Sequence, residues 1–465
     1  MILRLALRSL LVRPVRSAVL SIGFGLGVAV MAALLGIGAV ILDQARAPAL
    51  VGGGDVVIGG ATGRLSNATF VLTEVLHAGV FAPQVAVAAP SDQTELYLID
   101  AKGATPLRAR GGIPSLERAL GDPETHAIAG WNDTPVDRAW VAPDPEQVLR
   151  ALDRFHPVPN VPARATSWAE WLYFNGRASS GRFYLSFIAG PQLPSGRRTV
   201  GVRLQLERGG VMTSFSDAGE VDGAALLASA PDLTIGRNRV RLTGREYHIA
   251  IDLPGESVSA RAVGDVVIRA TPGRALPPLS IRGAGGWVSG YVVPVMSGTL
   301  SGSIDTGGTR VDFDGGAGYH DHNWGFWDGV SWQWGQVQGG GLSFVYGRVH
   351  PPADAADASR VPGFLMATGP DGPVGYATDV TIDEVDRPDA TGPRAINVRA
   401  RGSSLALRMD LAVGQTTMTG QPRRFGGQMD FLQLRAEFHV TGQVAGRTVD
   451  FTAPGSAETF RGRAK

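Results

Sequence analysis

The sequence predicts a mainly β protein: two tandem antiparallel β-barrels, preceded by one transmembrane helix and a small α+β region. Three observations predict it. Beyond residue 165, apolar and polar residues alternate in run after run, as in Val200, Val202, Leu204 and Leu206, in Tyr247, Ile249, Ile251 and Leu253, and in Leu405, Leu407, Met409 and Leu411. A period of two sends alternate side chains to opposite faces of a strand, so each run reads as a half-buried strand. Glycine and proline number 63 and 30 among 465 residues, above the average of about 7% and about 5%, and they punctuate the runs with turns. The third observation is the apolar stretch 19–42, which carries no charge.

At about 1.5 Å per residue, 19–42 is long enough to cross a hydrocarbon core of about 30 Å. Arg4, Arg8, Arg13 and Arg16 precede it with no acidic residue among them, so the N-terminus is expected in the cytoplasm and everything after Asp43 outside the inner membrane, in the periplasm or its equivalent. Cleavage at Ala45-Arg46-Ala47 would be the rival reading, but this apolar core exceeds the ~7–15 residues of a signal peptide. From there to residue 140, short apolar runs alternate with Gly, Pro and Asp, giving the small α+β region. Asp144 then stands as an N-cap ahead of Pro145, and Val148, Leu149, Leu152 and Phe155 share one helical face. Pro157, Pro159 and Pro162 end that helix and mark a linker. The β region follows, and about 300 residues of it suit two closed barrels better than one. The segments are therefore 1–18 (basic, cytoplasmic), 19–42 (transmembrane helix), 43–140 (exported α+β region), 141–164 (helix and Pro-rich linker), 165–325 (first barrel domain) and 326–465 (second barrel domain).

Composition excludes several classes. Basic and acidic residues, 43 and 42, cancel to a net charge of +1, which leaves no field to attract a polyanion, so nucleic acid is not an expected partner. The absence of cysteine rules out disulfides, thiolate metal sites and a thiol nucleophile. No second apolar stretch long enough to span a membrane follows the first, and one span cannot enclose a translocation path.

Chemistry concentrates in one place. Tyr319, His320, Asp321, His322, Asn323 and Trp324 are consecutive, and Phe326, Trp327, Trp332 and Trp334 follow closely. Two of the eight histidines and four of the nine tryptophans fall here. Buried His and Trp need partners for their N–H groups, so such density marks a site or a specialised structural belt. On a strand, His320, His322 and Trp324 would face one way and Tyr319, Asp321 and Asn323 the other. A second cluster, Trp168, Glu170, Trp171, Tyr173, Phe174 and Asn175, opens the β region.

Tyr319-His320-Asp321-His322-Asn323-Trp324-Gly325, with Glu170-Trp171-Leu172-Tyr173-Phe174-Asn175-Gly176 upstream, resembles the carotenoid 1,2-hydratase (hydroxyneurosporene synthase) superfamily, which includes AttH-like proteins and lipocalin-like cyclases. The resemblance implies two lipocalin-like barrels across 165–465. The upstream motif usually carries a second Trp where Leu172 stands. The N-terminal segment, Leu5-Ala6-Leu7-Arg8-Ser9-Leu10, the span and Gly52-Gly53-Gly54-Asp55-Val56-Val57-Ile58, resembles the start of MacB/FtsX-type ABC transporter permeases, and AttH-like members accompany ABC transporters. These likenesses imply a membrane-anchored exported protein that binds a lipophilic isoprenoid, polyene or acyl molecule, with ABC transporter subunits as partners.

Three readings of the cluster stay open. In an enzyme of the hydratase, isomerase or cyclase type, Asp321 and His322 would protonate an alkene and Trp324 would stabilise the cation. Hydratases of the family use a further acid on the next strand; here that strand holds Tyr346 and Arg348 and no carboxylate. The expected catalytic set is Asp321, His322, Trp324 and Tyr346, and the expected ligand contacts are Glu170, Trp171, Tyr173, Tyr319, His320, Asn323, Trp327 and Trp334. In a metal reading, His320 and His322 would be joined by His350; the resemblance supplies no metal, and neither metal nor cofactor is expected. In a structural reading, the cluster is a buried hydrogen-bond network joining the barrels while the cavity binds without reacting. The isolated His77, His126, His156 and His439 read as ordinary surface or core groups, and Gly339-Gly340-Gly341 reads as a hairpin turn.

Overall fold

The computed structural model describes residues 68–76, 81–100, 103–122, 128–141, 143–255, 260–389, 391–422 and 428–462, with isolated positions elsewhere. The expected membrane helix over 19–42 lies, apart from scattered positions, outside the described residues. Among the described residues no helix is long and apolar enough to cross a membrane. The chain divides into two compact units, Met1–Leu65 with Val87–Asp137, and Ser66–Ala86 with Arg138–Lys465.

In the first unit, strands β1 (Ser91–Asp100) and β2 (Gly103–Gly112) pair as an antiparallel hairpin. Helix α1 (Pro114–Ala119) follows, with Pro at its first position. Arg110 reaches from β2 to both Glu117 and Asp122, two buried carboxylates that need this guanidinium to be tolerated away from water.

The second unit holds two sheets. The first is built from β3 (Trp168–Ala178), β4 (Gly181–Gln192), β5 (Arg197–Arg208), β6 (Val211–Asp222), β7 (Leu233–Ile235), β8 (Asn238–Thr243), β9 (Glu246–Pro254), β10 (Arg261–Ala270), β11 (Leu276–Arg282), β12 (Val288–Thr306), β13 (Arg310–Asp312) and β14 (Gly316–Phe326). The second is built from β15 (Ser331–Gly339), β16 (Leu342–His350), β17 (Phe364–Gly369), β18 (Gly372–Ala377), β19 (Asp379–Asp386), β20 (Pro393–Arg401), β21 (Leu405–Pro422), β22 (Gln428–Val444) and β23 (Arg447–Gly462). Strand order is β6-β5-β4-β3-β14-β12-β10-β9-β8-β7 in one and β18-β17-β16-β15-β23-β22-β21-β20-β19 in the other.

Both orders have one logic. Four strands run up and down, the chain crosses to the far side, and the remaining strands return until the last pairs with the first, β14 with β3 and β23 with β15. That seam turns each sheet back on itself. The first is a nearly closed barrel, because its end strand β6 comes back to a bridge between Phe215 and Gly255 just after β9. The second is a half-barrel. The chain is thus mainly β, in one nearly closed barrel and one half-barrel of antiparallel strands, consistent with the expected pair of barrels. The Gly340-Gly341 turn joining β15 to β16 has φ of 60° and 77°. Two residues at positive φ make the two-residue hairpin turn that follows the strand twist, and glycine adopts it without strain.

Each barrel has its own interior. Phe174, Phe183, Phe187, Tyr247 and Phe313 fill the first, and Phe344, Tyr346, Leu365, Met409 and Phe438 the second. Burying one such side chain contributes roughly 1.5–3 kcal/mol. Helix α2 (Pro145–Leu152) has Asp144 as N-cap, its carboxylate accepting from the Glu146 amide at 2.8 Å. Its apolar face, Val148, Leu149 and Leu152, is buried in the same core as the first barrel's interior. The expected linker after it is therefore part of the barrel's packing: Phe155 is buried there, and Val158 and Val161 pack against it.

Candidate functional site

The residues of the Tyr319–Trp324 run and of the Trp168–Asn175 cluster lie along the seam of the first barrel. The β14–β3 register sets Asn323 opposite Trp171, Asp321 opposite Tyr173 and Tyr319 opposite Asn175, all on one face. The intervening pairs, Trp324 with Glu170, His322 with Leu172 and His320 with Phe174, take the other face. Alternation along β14 thus sends its side chains into two separate environments.

The outward face meets the second barrel's seam. There Trp332, Phe460 and Phe431 are aligned across β15, β23 and β22, and Trp334, Glu458 and Gln433 form the next row. Asp321 sits in this interface, 3% exposed, and accepts a hydrogen bond from Asn323 Nδ2 at 2.6 Å. Tyr319 bonds the same carboxyl and accepts from Trp334 Nε1 at 2.9 Å. Tyr173 Oη donates to Gln433 Oε1 at 3.2 Å, and Glu458, beside Tyr173, Gln433 and Trp332, keeps a solvent-accessible edge. Gln336 Nε2 donates to Asn175 Oδ1 at 3.2 Å across the same interface.

Two carboxyls held this close in a poorly hydrated interface cannot both ionise cheaply. Burial, and then the charge of Glu458, push the Asp321 carboxyl well above the usual carboxylate range. Burial pushes Glu458 up to about 7, its hydrogen bonds opposing the rise. At neutral pH the pair therefore retains a proton. Around its rim stand Trp171, Trp327 and Trp332, with ring centroids 4.7 Å apart for Trp171 and Trp327 and 5.2 Å for Trp327 and Trp332. Phe460 stacks on Trp332 at 4.2 Å. All four are half-buried, so an apolar, π-rich surface borders the acids and reaches solvent.

The inward face is a closed ionic network. His320 Nε2 contacts Asp153 Oδ2 at 2.7 Å, and its Nδ1 contacts the Tyr173 carbonyl at 2.9 Å. His322 Nδ1 contacts Asp153 Oδ1 at 3.1 Å and its Nε2 contacts Glu170 Oε1 at 3.0 Å. Glu170 also accepts from the His156 amide, and His156 Nδ1 lies 2.7 Å from Oε1. Both ring nitrogens of His322 face carboxylates, which requires the protonated ring. Burial would lower its pKa, but the bonds to Asp153 and Glu170 prevail and raise it to about 9. Burial likewise acts to raise Asp153 and Glu170, and the imidazoles around them hold both below the usual range. Phe174 stacks on His320 at 4.1 Å, and Trp324 on His156 at 4.1 Å. The Trp324 indole lies over Gly290, where a Cβ would fall 2.3 Å from the ring.

The expected catalytic set is therefore dispersed. Asp321 lies between the barrels, and His322 and Trp324 lie inside the first, so Asp321 and His322 do not form one acid pair. Tyr346 lies inside the second barrel, over Gly335, its hydroxyl buried without a hydrogen-bond partner. Of the expected ligand contacts, Trp171, Tyr173, Tyr319, Asn323, Trp327 and Trp334 gather at the interface, while Glu170 and His320 belong to the inner network. His350 contacts Gln333 at 3.4 Å and stands apart from His320 and His322 as a ligand.

Three residues of these clusters lie outside the expected set: Asp153 and Glu458, which the sequence does not single out, and His156, which it reads as an ordinary group. For Glu458 a signal exists. Trp171, Tyr173 and Asn175 at alternate positions recur as Trp332, Trp334 and Gln336, and the acid-to-glycine spacing of Asp321 and Gly325 recurs as Glu458 and Gly462. The two seams are one pattern written twice.

No family model matches the sequence, and comparison with curated proteins finds no match. Among solved structures the chain is similar to CghA, at 13% identity over 66% of this chain and 93% of that one, with a TM-score of 0.43. The same figures hold for CghA with Sch210972. A Nitrosomonas europaea protein described provisionally as AttH is similar at 14% identity over 66% of this chain and 99% of that one, with a TM-score of 0.41.

Proposed function

We propose that the protein binds a lipophilic molecule of polyene, isoprenoid or acyl type between its two barrels, against the Trp171, Trp327 and Trp332 rim. The observation that carries this reading is the half-buried aromatic surface leading to a buried acid pair. Flat indole faces suit extended apolar chains, and the few polar groups beyond them suit orientation of one functional end. Titration with a soluble short-chain polyene, following quenching of tryptophan emission, tests it. Saturable quenching that is lost in Trp332→Ala supports the reading; no quenching, or an unchanged variant, overturns it.

A second reading, acid catalysis on a polyene, is favoured by the proton that Asp321 and Glu458 retain. The carboxyl would give its proton to one carbon of an alkene, leaving a carboxylate and a cation at the other carbon that the tryptophan faces stabilise. Loss of a neighbouring proton, attack by a second alkene or addition of water would then give isomerisation, cyclisation or hydration. The residues doing this would be Asp321 and Glu458, in place of Asp321 with His322. From the sequence we also propose an N-terminal anchor in the inner membrane, export of the bulk of the chain and association with ABC transporter subunits, which co-purification from membranes tests.

A further inference from the structure

We infer that His156, Glu170 and His322 form a binding site for a divalent transition-metal ion of the zinc class. One ligand atom from each, His156 Nδ1, Glu170 Oε1 and His322 Nε2, lies within 4.8 Å of the others. The carboxylate oxygen stands 2.7 Å from one nitrogen and 3.0 Å from the other. Zinc takes nitrogen and oxygen ligands at about 2.0–2.2 Å, which sets neighbouring ligand atoms of a tetrahedron roughly 3.3 Å apart. To admit the ion, Glu170 Oε1 draws back from the two nitrogens by about 0.3–0.6 Å, and the nitrogens, which lie within 4.8 Å of one another, settle to roughly 3.3 Å.

The surroundings are those of a metal site as well. A ligating imidazole commonly gives its other N–H to a carboxylate, which fixes its orientation. His322 does this with Asp153 through Nδ1. Glu170 is held by the His156 amide, and buried Arg198 points an unpartnered Nη1 at its second oxygen from 3.8 Å. His156 is clamped by the Trp324 ring. The two imidazoles are tilted by 57° with centroids 6.1 Å apart, so both can aim at one point. Two nitrogens and one oxygen select zinc, cobalt or nickel over magnesium or calcium. His156 is 34% exposed, which gives an ion entry and leaves a fourth position to water. The two hydrogens now lying between Glu170 Oε1 and the ring nitrogens His322 Nε2 and His156 Nδ1 are what the ion would replace, and the ion would tie the segment after α2 to the barrel wall.

The test uses the full chain, treated with chelator and then titrated with Zn²⁺ or Co²⁺ alone. Expected are one bound equivalent after desalting, a visible Co²⁺ spectrum of low coordination number, and a rise in thermal midpoint. His156→Gln, at a half-buried position, should weaken binding by about 10- to 100-fold or more, while His439→Gln, a histidine paired with Asp450 elsewhere, should bind as wild type. The Co²⁺ spectrum reports nitrogen and oxygen ligation in the wild-type chain even if the variant folds poorly. A wild-type chain that retains no ion, or His156→Gln binding as tightly as wild type, overturns the inference.

Discussion

Asp321 and Glu458 hold the same place in the two halves of the protein. Each lies on the last strand of its barrel, at the seam, opposite an aromatic of the first strand: Tyr173 for Asp321 and Trp334 for Glu458. Packing one seam on the other brings the two carboxyls together, with the corresponding amides Asn175 and Gln336 hydrogen-bonded beside them. The acid pair is thus a product of a repeated strand order and of seam-to-seam packing, and neither barrel alone contains it.

The first prediction concerns the proton of this pair. A carboxyl raised on folding contributes stability below its unfolded pKa of about 4.3 and loses it as pH climbs through the folded value, about 7 for Glu458. Wild-type stability should therefore fall by roughly 1–3 kcal/mol between pH 5 and pH 9 on account of this pair. Glu458→Gln removes one titration and the repulsion on Asp321, so its decline should be about half as steep. Urea unfolding at several pH values reads both slopes, and equal slopes would show that the Glu458 carboxyl is not raised on folding.

The inner network titrates in the opposite sense at its acidic end. Asp153 and Glu170 are lowered, so their contribution is present above the ordinary carboxylate pKa and is lost as pH falls below about 4. His322, raised to about 9, contributes fully below about 6.5 and loses its contribution as pH rises through about 9. Asp153→Ala strands two imidazoles inside the barrel and should cost about 3–5 kcal/mol at pH 7. Chemical denaturation measures this, and a cost under about 1 kcal/mol would mean that the histidines find other partners.

At the rim, Trp332→Ala removes the ring that touches Trp171, Trp327, Phe431 and Phe460. Its half-buried position limits the stability loss to about 1–2 kcal/mol, while affinity for a short polyene should drop roughly tenfold, equivalent to about 1.4 kcal/mol. Calorimetric titration separates the effects. A large stability loss with unchanged affinity would make the aromatic cluster a packing device.

What the sequence could and could not convey follows from range. Period-two alternation is local, so strands and the two faces of the Tyr319 to Trp324 run were legible, and so was α2 from Asp144, Pro145 and its apolar face. Partnership across barrels is not local. Glu458 carries only the faint signal of a repeated spacing until register sets it beside Gln433 and Trp334, and Asp153 is a helix-end acid until the chain folds it under His320. The Pro-rich stretch reads as a linker because proline stops a helix, yet proline says nothing about whether its neighbours are buried, and here Phe155, Val158 and Val161 pack into the barrel's core with His156 between them. The position of Tyr346 on the strand after the motif suggests a place at the site, but the pleat points it into the second barrel.

The last prediction tests the inner packing directly. Gly290 on β12 lies opposite Trp324 on β14, and the indole occupies the space a side chain would take. Gly290→Ala would place a methyl 2.3 Å from that ring, inside any tolerable contact, so Trp324 must move. Because Trp324 stacks on His156 and lies against His322, with centroids 5.5 Å apart in the latter case, its displacement should loosen the inner network as well as cost the roughly 1–3 kcal/mol of overpacking. The paired change Gly290→Ala with Trp324→Phe shrinks the ring and should recover part of that loss, a coupling that a double-mutant cycle of urea midpoints measures. Strict additivity of the two substitutions would show that the glycine is there for the strand and not for the tryptophan.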